Sequence, residues 1–279
     1  MRIQSPTWAL LLLVALPGLL AAQDWRTLAR GREYAGEEAL EVNLEYGAGR
    51  LVIAPAAKGV LYRASLRYDA DVFSPTMDYG SNALHIGIGD GNIKGKRNMK
   101  GGLLDLRLGP QTPLDVNLKF GAAEAKLELG GLRVRNLTVS TGASATTLSF
   151  SKPNELTCNR ADFEVGAAKF EVFGLGNLNT RELEVSGGVG EVLLDFTGSW
   201  RADLEADVHM GLGALTLRVP KGLGVRVQKD GMLAGFDSQG LVKRGSVYYS
   251  EGYERATRKL SVKLDAAFGA IKMVWVGPS

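Results

Sequence analysis

The chain has 279 residues, with 33 Lys and Arg against 30 Asp and Glu, and 45% of its residues are apolar. These proportions are typical of a folded protein with one large or two small domains, and they exclude a disordered chain. The net charge of +3 is too small to indicate nucleic-acid binding, which needs clustered cations. The 36 glycines exceed the usual share and indicate tight turns or close approach of chain segments.

Residues 1–22 have the layout of a secretory signal peptide. Arg2 precedes an apolar run from position 9 to position 20, and two alanines follow the run before the polar Gln23. The run has about 12 residues, whereas a membrane-spanning helix needs about 20. We therefore predict export to the periplasm, the cell envelope or the extracellular space, with a mature chain that starts near Gln23. An uncleaved N-terminal anchor is the alternative.

A pattern centred on a glycine repeats seven times along the chain. Apolar residues occupy the positions five and three before the glycine and four and six after it. Of these 28 positions only Thr146 is not apolar, whereas about 13 apolar residues would be expected by chance. The seven glycines are Gly47, Gly121, Gly142, Gly166, Gly188, Gly211 and Gly269.

Alternation with a period of two on each side of the glycine predicts two half-buried strands joined by a bend. Between Gly121 and Gly211 the glycines are 21, 24, 22 and 23 residues apart, which is too short for a propeller blade and fits one rung of a β-solenoid. We predict an all-β fold, with a smaller β domain of the same repeat type at 23–113 and a β-solenoid of about 22-residue rungs at 114–276. We expect the glycines at positive φ or where an adjacent rung leaves no room for a Cβ.

The stretches between the repeats are less regular. Residues 62–68 alternate as a strand, and residues 94–100 read as an exposed basic loop. Residues 229–259 read as a cap over the end of the solenoid, because an unpaired last rung would favour edge-to-edge association. The cap carries cations beside aromatic rings, which suits anionic glycopolymers or lipid headgroups. The predicted binding patch consists of Lys243, Arg244, Tyr248, Tyr249, Tyr253, Arg255 and Arg258.

The sequence offers no catalytic or metal-binding set. His85 and His209 are the only histidines, and each lies in a strand-like alternation that predicts a solvent-facing side chain. Cys158 is the only cysteine, so it cannot form an intramolecular disulfide, and its position predicts a buried inert thiol. We expect no catalytic residue, no metal site and no cofactor.

Carboxylates are the one source of a rival function, because some β-solenoids cleave polysaccharides with pairs of acidic residues. Asp203 and Asp207 are predicted to share one strand face, with Glu205 on the opposite face. Polar residues alternate in the same way on every repeat, so solvated strand charge is the favoured interpretation.

Several glycine-containing segments resemble those of a known family. The segments that show the resemblance are 42–48 and 116–122, which are similar to each other, Gly-Leu-Gly-Asn-Leu-Asn at 174–179, Gly-Gly-Val-Gly-Glu-Val at 187–192 and Phe-Thr-Gly-Ser-Trp-Arg at 196–201. With them, residues 30–276 resemble the bacterial toast-rack proteins, and the C-terminal region is similar to the LiaF C-terminal domain and to adhesin-type β-repeat proteins. The resemblance implies a β-repeat fold in an envelope protein. It does not extend to the transmembrane helices of LiaF.

These observations predict an extracytoplasmic β-solenoid protein that acts as a structural, adhesive or envelope-stress interaction module without catalysis. Its expected partner is a cell-envelope polymer, a membrane surface or an envelope protein, and not nucleic acid. The alternative is a carbohydrate-active enzyme with acidic residues on one solenoid face.

Overall fold

A computed structural model describes residues 24–90, 101–230 and 233–277. The predicted signal peptide and the predicted basic loop at 94–100 lie outside these residues. The described residues form seventeen β-strands in one hydrogen-bonded sheet and two single 3-10 turns, which confirms the all-β class. None of their helical segments is long and apolar enough to cross a membrane.

The strands follow the alternating segments of the sequence. The first nine are β1 (Trp25–Glu33), β2 (Leu40–Pro55), β3 (Val60–Asp69), β4 (Phe73–Gly80), β5 (Ala83–Asp90), β6 (Gly102–Leu108), β7 (Pro113–Glu128), β8 (Arg133–Thr141) and β9 (Ala145–Ser149). The others are β10 (Arg160–Phe173), β11 (Glu182–Asp195), β12 (Leu204–Pro220), β13 (Gly224–Asp230), β14 (Leu233–Asp237), β15 (Leu241–Arg244), β16 (Val247–Ser250) and β17 (Lys259–Val276). The 3-10 turns are Leu175–Asn177 and Tyr253–Arg255.

Most strands stack in parallel layers, each made of one long bent strand or of two shorter strands that follow one another. In spatial order the layers are β5 with β6, β2, β7, β8 with β9, β10, β11, β12, β17, and β13 with β14. This order departs from the chain order at both ends. The layer of β5 and β6 lies outside β2, and β17 is inserted between β12 and the layer of β13 and β14.

Antiparallel strands close both ends of the stack. At one end β4 pairs with β5, β3 pairs with β6, and β1 pairs with β3; we call β1, β3 and β4 the N-terminal cap. At the other end β16 pairs with β13 and β15 pairs with β16; we call β15, β16 and the turn Tyr253–Arg255 the C-terminal cap. The predicted domain boundary between residues 113 and 114 falls at the start of β7, which pairs with β2 in the same stack.

Each long strand bends because two consecutive residues face outward at the glycine position. In β7 Phe120 is buried, Gly121 and Ala122 face outward, and burial resumes at Ala123. The alternation of buried and exposed residues therefore changes phase at the bend. As a result, the two halves of the strand before and after the bend, its two arms, turn their apolar side chains toward the same core. In β10 the rings of Phe163 and Phe170, one on each arm, have centroids 5.5 Å apart.

The core contains the side chains that the repeat predicts. Of the 28 positions expected to face inward, all except the half-buried Trp275 are buried. Thr146, the one polar member, is buried with its hydroxyl 3.0 Å from that of Ser144, which in turn accepts a hydrogen bond from Thr141. This chain of hydroxyls satisfies a polar group that would otherwise be costly to bury.

Turn segments close the side of the core that the two arms leave open. The buried Asn154 joins three layers there, because its amide donates to the carbonyls of Val134 and Leu178 and its oxygen accepts from the N–H of Val134. Apolar side chains of these segments, among them Leu175 and Phe196, complete the core.

At most of the bend glycines the close approach of the adjacent layer, rather than a positive φ, excludes a side chain. A Cβ on Gly211 would lie 2.5 Å from the carbonyl oxygen of Gly188, and a Cβ on Gly188 would lie 3.0 Å from that of Gly166. Among the seven glycines only Gly269 has a φ in the left-handed region, at 133°. At Gly121, Gly166, Gly188 and Gly211 the lack of room for a Cβ is the reason that glycine occupies the position.

Gly269 does not lie beside Gly211, the bend glycine with which the repeat aligns it. Residues that pair from layer to layer form a column, and Gly269 belongs to the next column. The β12–β17 register pairs Gly269 with Gly213, so Ala267 and not Gly269 lies beside Gly211. The predicted alignment of the last repeat is therefore wrong by two residues. A shift of two preserves the inward and outward alternation, so the apolar pattern could not detect it.

This second column of glycines, two residues after the first, is the tighter one. Gly213 has φ 145°, and a Cβ there would lie 1.8 Å from the carbonyl oxygen of Gly190. Gly190 has φ 137°, and its own Cβ would lie 2.0 Å from the carbonyl oxygen of Ala168. Both positions combine a backbone conformation that disfavours other residues with a direct clash.

We expect Gly213→Ala to lower the free energy of unfolding by about 3 kcal/mol, since it adds backbone strain and a clash with a carbonyl. Gly142→Ala is the matched control. Its Cβ would lie 3.4 Å from the carbonyl oxygen of Gly121 at a φ outside the left-handed region, so a loss below about 1 kcal/mol is expected. Urea denaturation measures both, and equal losses would contradict the stacked arrangement of the bends.

Candidate functional site

The C-terminal cap contains most of the predicted binding patch. Arg244 pairs with Val247 across a two-residue hairpin loop, and Gly245 in that loop has φ 63°, as tight hairpins require. In the same pairing Tyr249 lies opposite Val242 on β15 and opposite Arg226 on β13. The hairpin thus places a tyrosine between strands at the end of the stack.

Two tyrosines and two cations form a continuous row on one face of the cap. The guanidinium of Arg244 lies 5.4 Å from the ring centroid of Tyr249, and the rings of Tyr249 and Tyr253 meet edge to face at 5.1 Å. The ammonium of Lys259 lies 5.1 Å from the ring of Tyr253. Cations at such distances from aromatic faces are attracted to them, so the row is held together by its own side chains.

Lys243 and Tyr248 of the predicted patch lie on the opposite face of the hairpin. They pair directly across the strands, one position out of phase with Tyr249, and the ammonium of Lys243 lies 5.5 Å from the ring of Tyr248. The ring of Tyr248 packs edge to face against Phe236 at 5.0 Å, and both rings are half-buried. Tyr248 is therefore a packing residue of the cap as well as a partner of Lys243.

The two remaining patch residues lie apart from the row of rings. Arg255 is exposed at the end of the 3-10 turn that begins at Tyr253. Arg258 borders a separate hollow of about 280 Å³, which Trp200 and Lys221 also line. The structure therefore brings together Arg244, Tyr249 and Tyr253 and separates the other predicted residues from them.

Two cations of this surface were not named among the predicted site residues. Lys259 is the first residue of β17 and the last cation of the basic and aromatic segment. The sequence could therefore have indicated it as a member of the patch. Arg226 lies on β13 and reaches the same face only through the pairing of β13 with β16. Nothing in the local sequence indicates that register.

The prediction that Glu205 faces away from Asp203 and Asp207 is wrong. β12 starts at Leu204 and buries Leu204 and Ala206, so Glu205 and Asp207 both point outward. Residues two apart on a strand share a face, whatever stands between them. Asp203 lies before the strand and accepts a hydrogen bond from the backbone N–H of Lys259 at 3.0 Å.

Three of the outward carboxylates near this position are paired with cations of the same or the adjacent layer. Asp207 lies 3.4 Å from the ammonium of Lys263, and Arg160 contacts both Asp162 and Glu184. In the part of the chain that the structure describes, no group of three or more His, Cys, Asp or Glu side chains is placed to hold a metal ion.

The predicted surface histidines and the predicted buried cysteine are confirmed. His85 and His209 are exposed on strands, and the Nδ1 of His209 lies 3.9 Å from a carboxylate oxygen of Asp265. Cys158 is fully buried, and this burial raises the pKa of its thiol to about 12. A thiol with so high a pKa stays protonated and unreactive at neutral pH.

A shallow groove of about 760 Å³ runs along the bends of the layers from β5 to β11. Its floor includes Gly121, Gly142 and Gly166, where the absence of side chains leaves the backbone accessible from outside. Glu45 and Glu164 are the carboxylates that line it. They are separated by three layers, which at about 4.8 Å per layer places their backbones about 14 Å apart.

An exposed apolar ridge continues along the bends of the later layers. Val189, Leu212 and Phe268 pair in successive layers, and their side chains are 53%, 52% and 54% exposed. Earlier layers carry alanine at this position, as at Ala122 and Ala167. The described residues have five exposed large apolar side chains, and three of them form this ridge.

One protein family matches the chain over most of its length. The family model described as the N-terminal domain of toast_rack, DUF2154, matches residues 26–173 and 162–218. The chain therefore belongs to this family, as the resemblance of its glycine-containing segments predicts. No curated protein matches the chain.

Several solved structures are similar to the chain over most of its length. A "putative cell adhesion protein" from Clostridium sporogenes has 19% identity and a TM-score of 0.48, covering 90% of this chain and 100% of that chain. A "putative adhesin" from Bacteroides fragilis has 14% identity and a TM-score of 0.42, covering 89% and 97%. A "putative lipid binding protein" from Parabacteroides distasonis has 11% identity and a TM-score of 0.31, covering 88% and 96%.

Proposed function

We propose that this protein is an exported, non-catalytic β-solenoid module that binds anionic groups of the cell envelope through its C-terminal cap. The observation that carries the proposal is the row formed by Arg244, Tyr249, Tyr253 and Lys259. Its charged and aromatic groups sit together at the end of a rigid stack, where they can meet a polymer or a lipid surface.

The layered pairing supports the solenoid part of the proposal. Paired residues are 22 positions apart between β10 and β11, as in Phe163 with Val185, and 23 apart between β11 and β12, as in Val185 with Val208. Each layer buries the apolar faces of its neighbours, which is how a solenoid of short repeats becomes stable.

The chemistry of the row suits phosphate or carboxylate ligands. The guanidinium of Arg244 can donate two hydrogen bonds to one such group, and Lys259 adds a second positive charge. The tyrosine rings offer flat surfaces to sugar rings or to the interfacial region of a lipid layer. Phosphate-bearing glycopolymers and anionic lipids share this chemistry, so both are candidate ligands.

The placement of carboxylates supports a binding role over hydrolysis of polysaccharides. The two carboxylates of the groove, Glu45 and Glu164, stand three layers apart, with backbones about 14 Å apart, and Glu164 accepts a hydrogen bond from the hydroxyl of Ser140 at 2.9 Å. Asp207, Asp162 and Glu184 on the outward face each have a cationic partner.

We expect the double variant Arg244→Ser and Lys259→Ser to bind anionic vesicles or isolated cell wall about 30-fold more weakly. Each cation near an anionic surface contributes about 1 kcal/mol, and 1.4 kcal/mol corresponds to a factor of ten. Sedimentation with vesicles and with cell wall, in separate arms, measures the loss and distinguishes the lipid from the polymer. Added salt should weaken the wild-type binding, since exposed charges are screened.

The matched control is the double variant Lys169→Ser and Lys272→Ser, which removes the same charge from exposed strand positions of β10 and β17. It should bind as the wild type does. Equal losses in the two double variants, or binding that neither salt nor substitution changes, would contradict the assignment of the site to the C-terminal cap.

Export is tested separately by the N-terminus of the mature protein. We expect N-terminal sequencing of the protein from the extracytoplasmic fraction to begin near Gln23, because residues 1–22 have the composition of a cleaved signal peptide. Recovery of the chain with Met1 retained in a membrane fraction would contradict cleavage and indicate a tethered protein.

A further inference from the structure

Strand β1 is a long edge strand with one open side. It pairs with β3 along one edge, and no strand of the described ranges pairs with its other edge. The other outermost strands are poor templates for pairing, because β4 contains Pro75 and β14 and β15 have only five and four residues. β1 has nine residues and no proline. It is therefore the edge of this stack best able to accept another strand.

The pairing with β3 determines which backbone groups of β1 face the open side. The N–H of Ala70 donates to the carbonyl of Asp24 at 2.8 Å, in the register of the β1–β3 pair. In an antiparallel pair hydrogen bonds recur at every second residue, so the even-numbered residues of β1 bond to β3. The N–H and C=O groups of Thr27, Ala29 and Gly31 consequently point to the open side.

The side chains around these groups leave room for a guest strand. Ala29 and Gly31 carry no bulky side chain that would cover the open edge. The carbonyl of Ala29 accepts a hydrogen bond from the exposed guanidinium of Arg30 at 3.1 Å. Because that contact is exposed, an N–H of a guest strand can replace it at little cost.

The charge of this region determines the kind of guest. β1, β3 and β6 carry six arginines and three carboxylates, and Asp24 and Glu37 near β1 add two carboxylates. Arg26, Arg30 and Arg32 share one face of β1. Arg26 pairs with Asp24 and Arg32 with Glu37, while the guanidinium of Arg30 donates only to the backbone carbonyl of Ala29 among the described residues. A guest strand with carboxylates on that face would complement them, whereas a second copy of β1 would add three more arginines to the same edge.

We propose that β1 binds an extended acidic segment of a partner protein as an added β-strand. The backbone groups of Thr27, Ala29 and Gly31 supply the hydrogen bonds, and the arginines of β1 select for carboxylates. This surface lies on the N-terminal cap, at the opposite end of the stack from the proposed polymer-binding row, and it does not depend on that function.

The probe is a short synthetic peptide of alternating Glu and Val, with an alternating Lys and Val peptide as the charge control. Fluorescence anisotropy with the full mature chain should show saturable binding of the acidic peptide and none of the basic one. Amide exchange measured by NMR should show new protection of Thr27, Ala29 and Gly31 on binding, while the amides already bonded to β3 stay unchanged. Binding of both peptides alike, or of neither, would overturn the proposal.

The decisive variant is Ala29→Pro, which removes an outward N–H and leaves the bonds to β3 in place. It should weaken binding of the acidic peptide at least about tenfold while the melting temperature shifts by about 2 °C or less. Ala29→Ser keeps the N–H and should bind as the wild type does. Unchanged binding by Ala29→Pro would overturn the assignment to this edge.

Two further measurements keep the proposal testable if Ala29→Pro does not fold. The double variant Arg30→Ser and Arg32→Ser should weaken binding of the acidic peptide at least about tenfold. Any complex that still forms should protect the same three amides from exchange. Analytical ultracentrifugation of the wild type tests whether a second copy of this chain occupies the edge of β1 instead. A concentration-dependent dimer that the acidic peptide cannot dissociate would show that a second copy covers β1 and would overturn the acidic partner.

Discussion

The stack depends on the close approach of one peptide backbone to the next at every bend. At the bends a Cβ on Gly211 or Gly213 would lie within hydrogen-bonding distance or less of a carbonyl oxygen in the preceding layer. Glycine is therefore required there, and two residues can face outward in succession without separating the layers. That local change of phase turns both arms of each strand toward one core, in which Phe163 and Phe170 meet from opposite arms.

Much of this architecture follows from the sequence, because burial on one face of a strand imposes a period of two that apolar residues report directly. The predicted inward positions except Trp275 are buried, including the polar Thr146, whose hydroxyl partners the pattern could not show. Register is a different matter, since a shift of two residues leaves the pattern intact, and Gly269 was aligned with the wrong glycine for that reason. The column of Gly190 and Gly213 also escaped detection, because other layers carry Ala123 or Ala168 at that position.

The candidate site could be predicted only in part. Its cations and aromatic residues are close together in the sequence, but which of them share a face depends on the pairing of strands. The basic and aromatic segment is visible in the sequence, but the alternation of β15 and β16 places Tyr249 on one face and Tyr248 on the other. Arg226 joins the surface from another strand through pairing alone. All five cation–aromatic pairs within the described residues lie at the two caps, where layers no longer cover one another. A stack that buries its own faces leaves its ends as the surfaces with the most distinctive chemistry.

The most direct test of the account is the register of the last long strand, measured by disulfide formation between introduced cysteines. The structure pairs Leu212 with Phe268, whereas alignment of the bend glycines by sequence would pair Leu212 with Ala270. Paired residues of adjacent parallel strands are about 4.8 Å apart, within the range that a disulfide spans. The account predicts rapid intramolecular oxidation of Leu212→Cys with Phe268→Cys and little oxidation of Leu212→Cys with Ala270→Cys, while the buried Cys158 takes no part. The opposite preference would contradict the layered register on which the last bends, the ridge and the C-terminal cap depend.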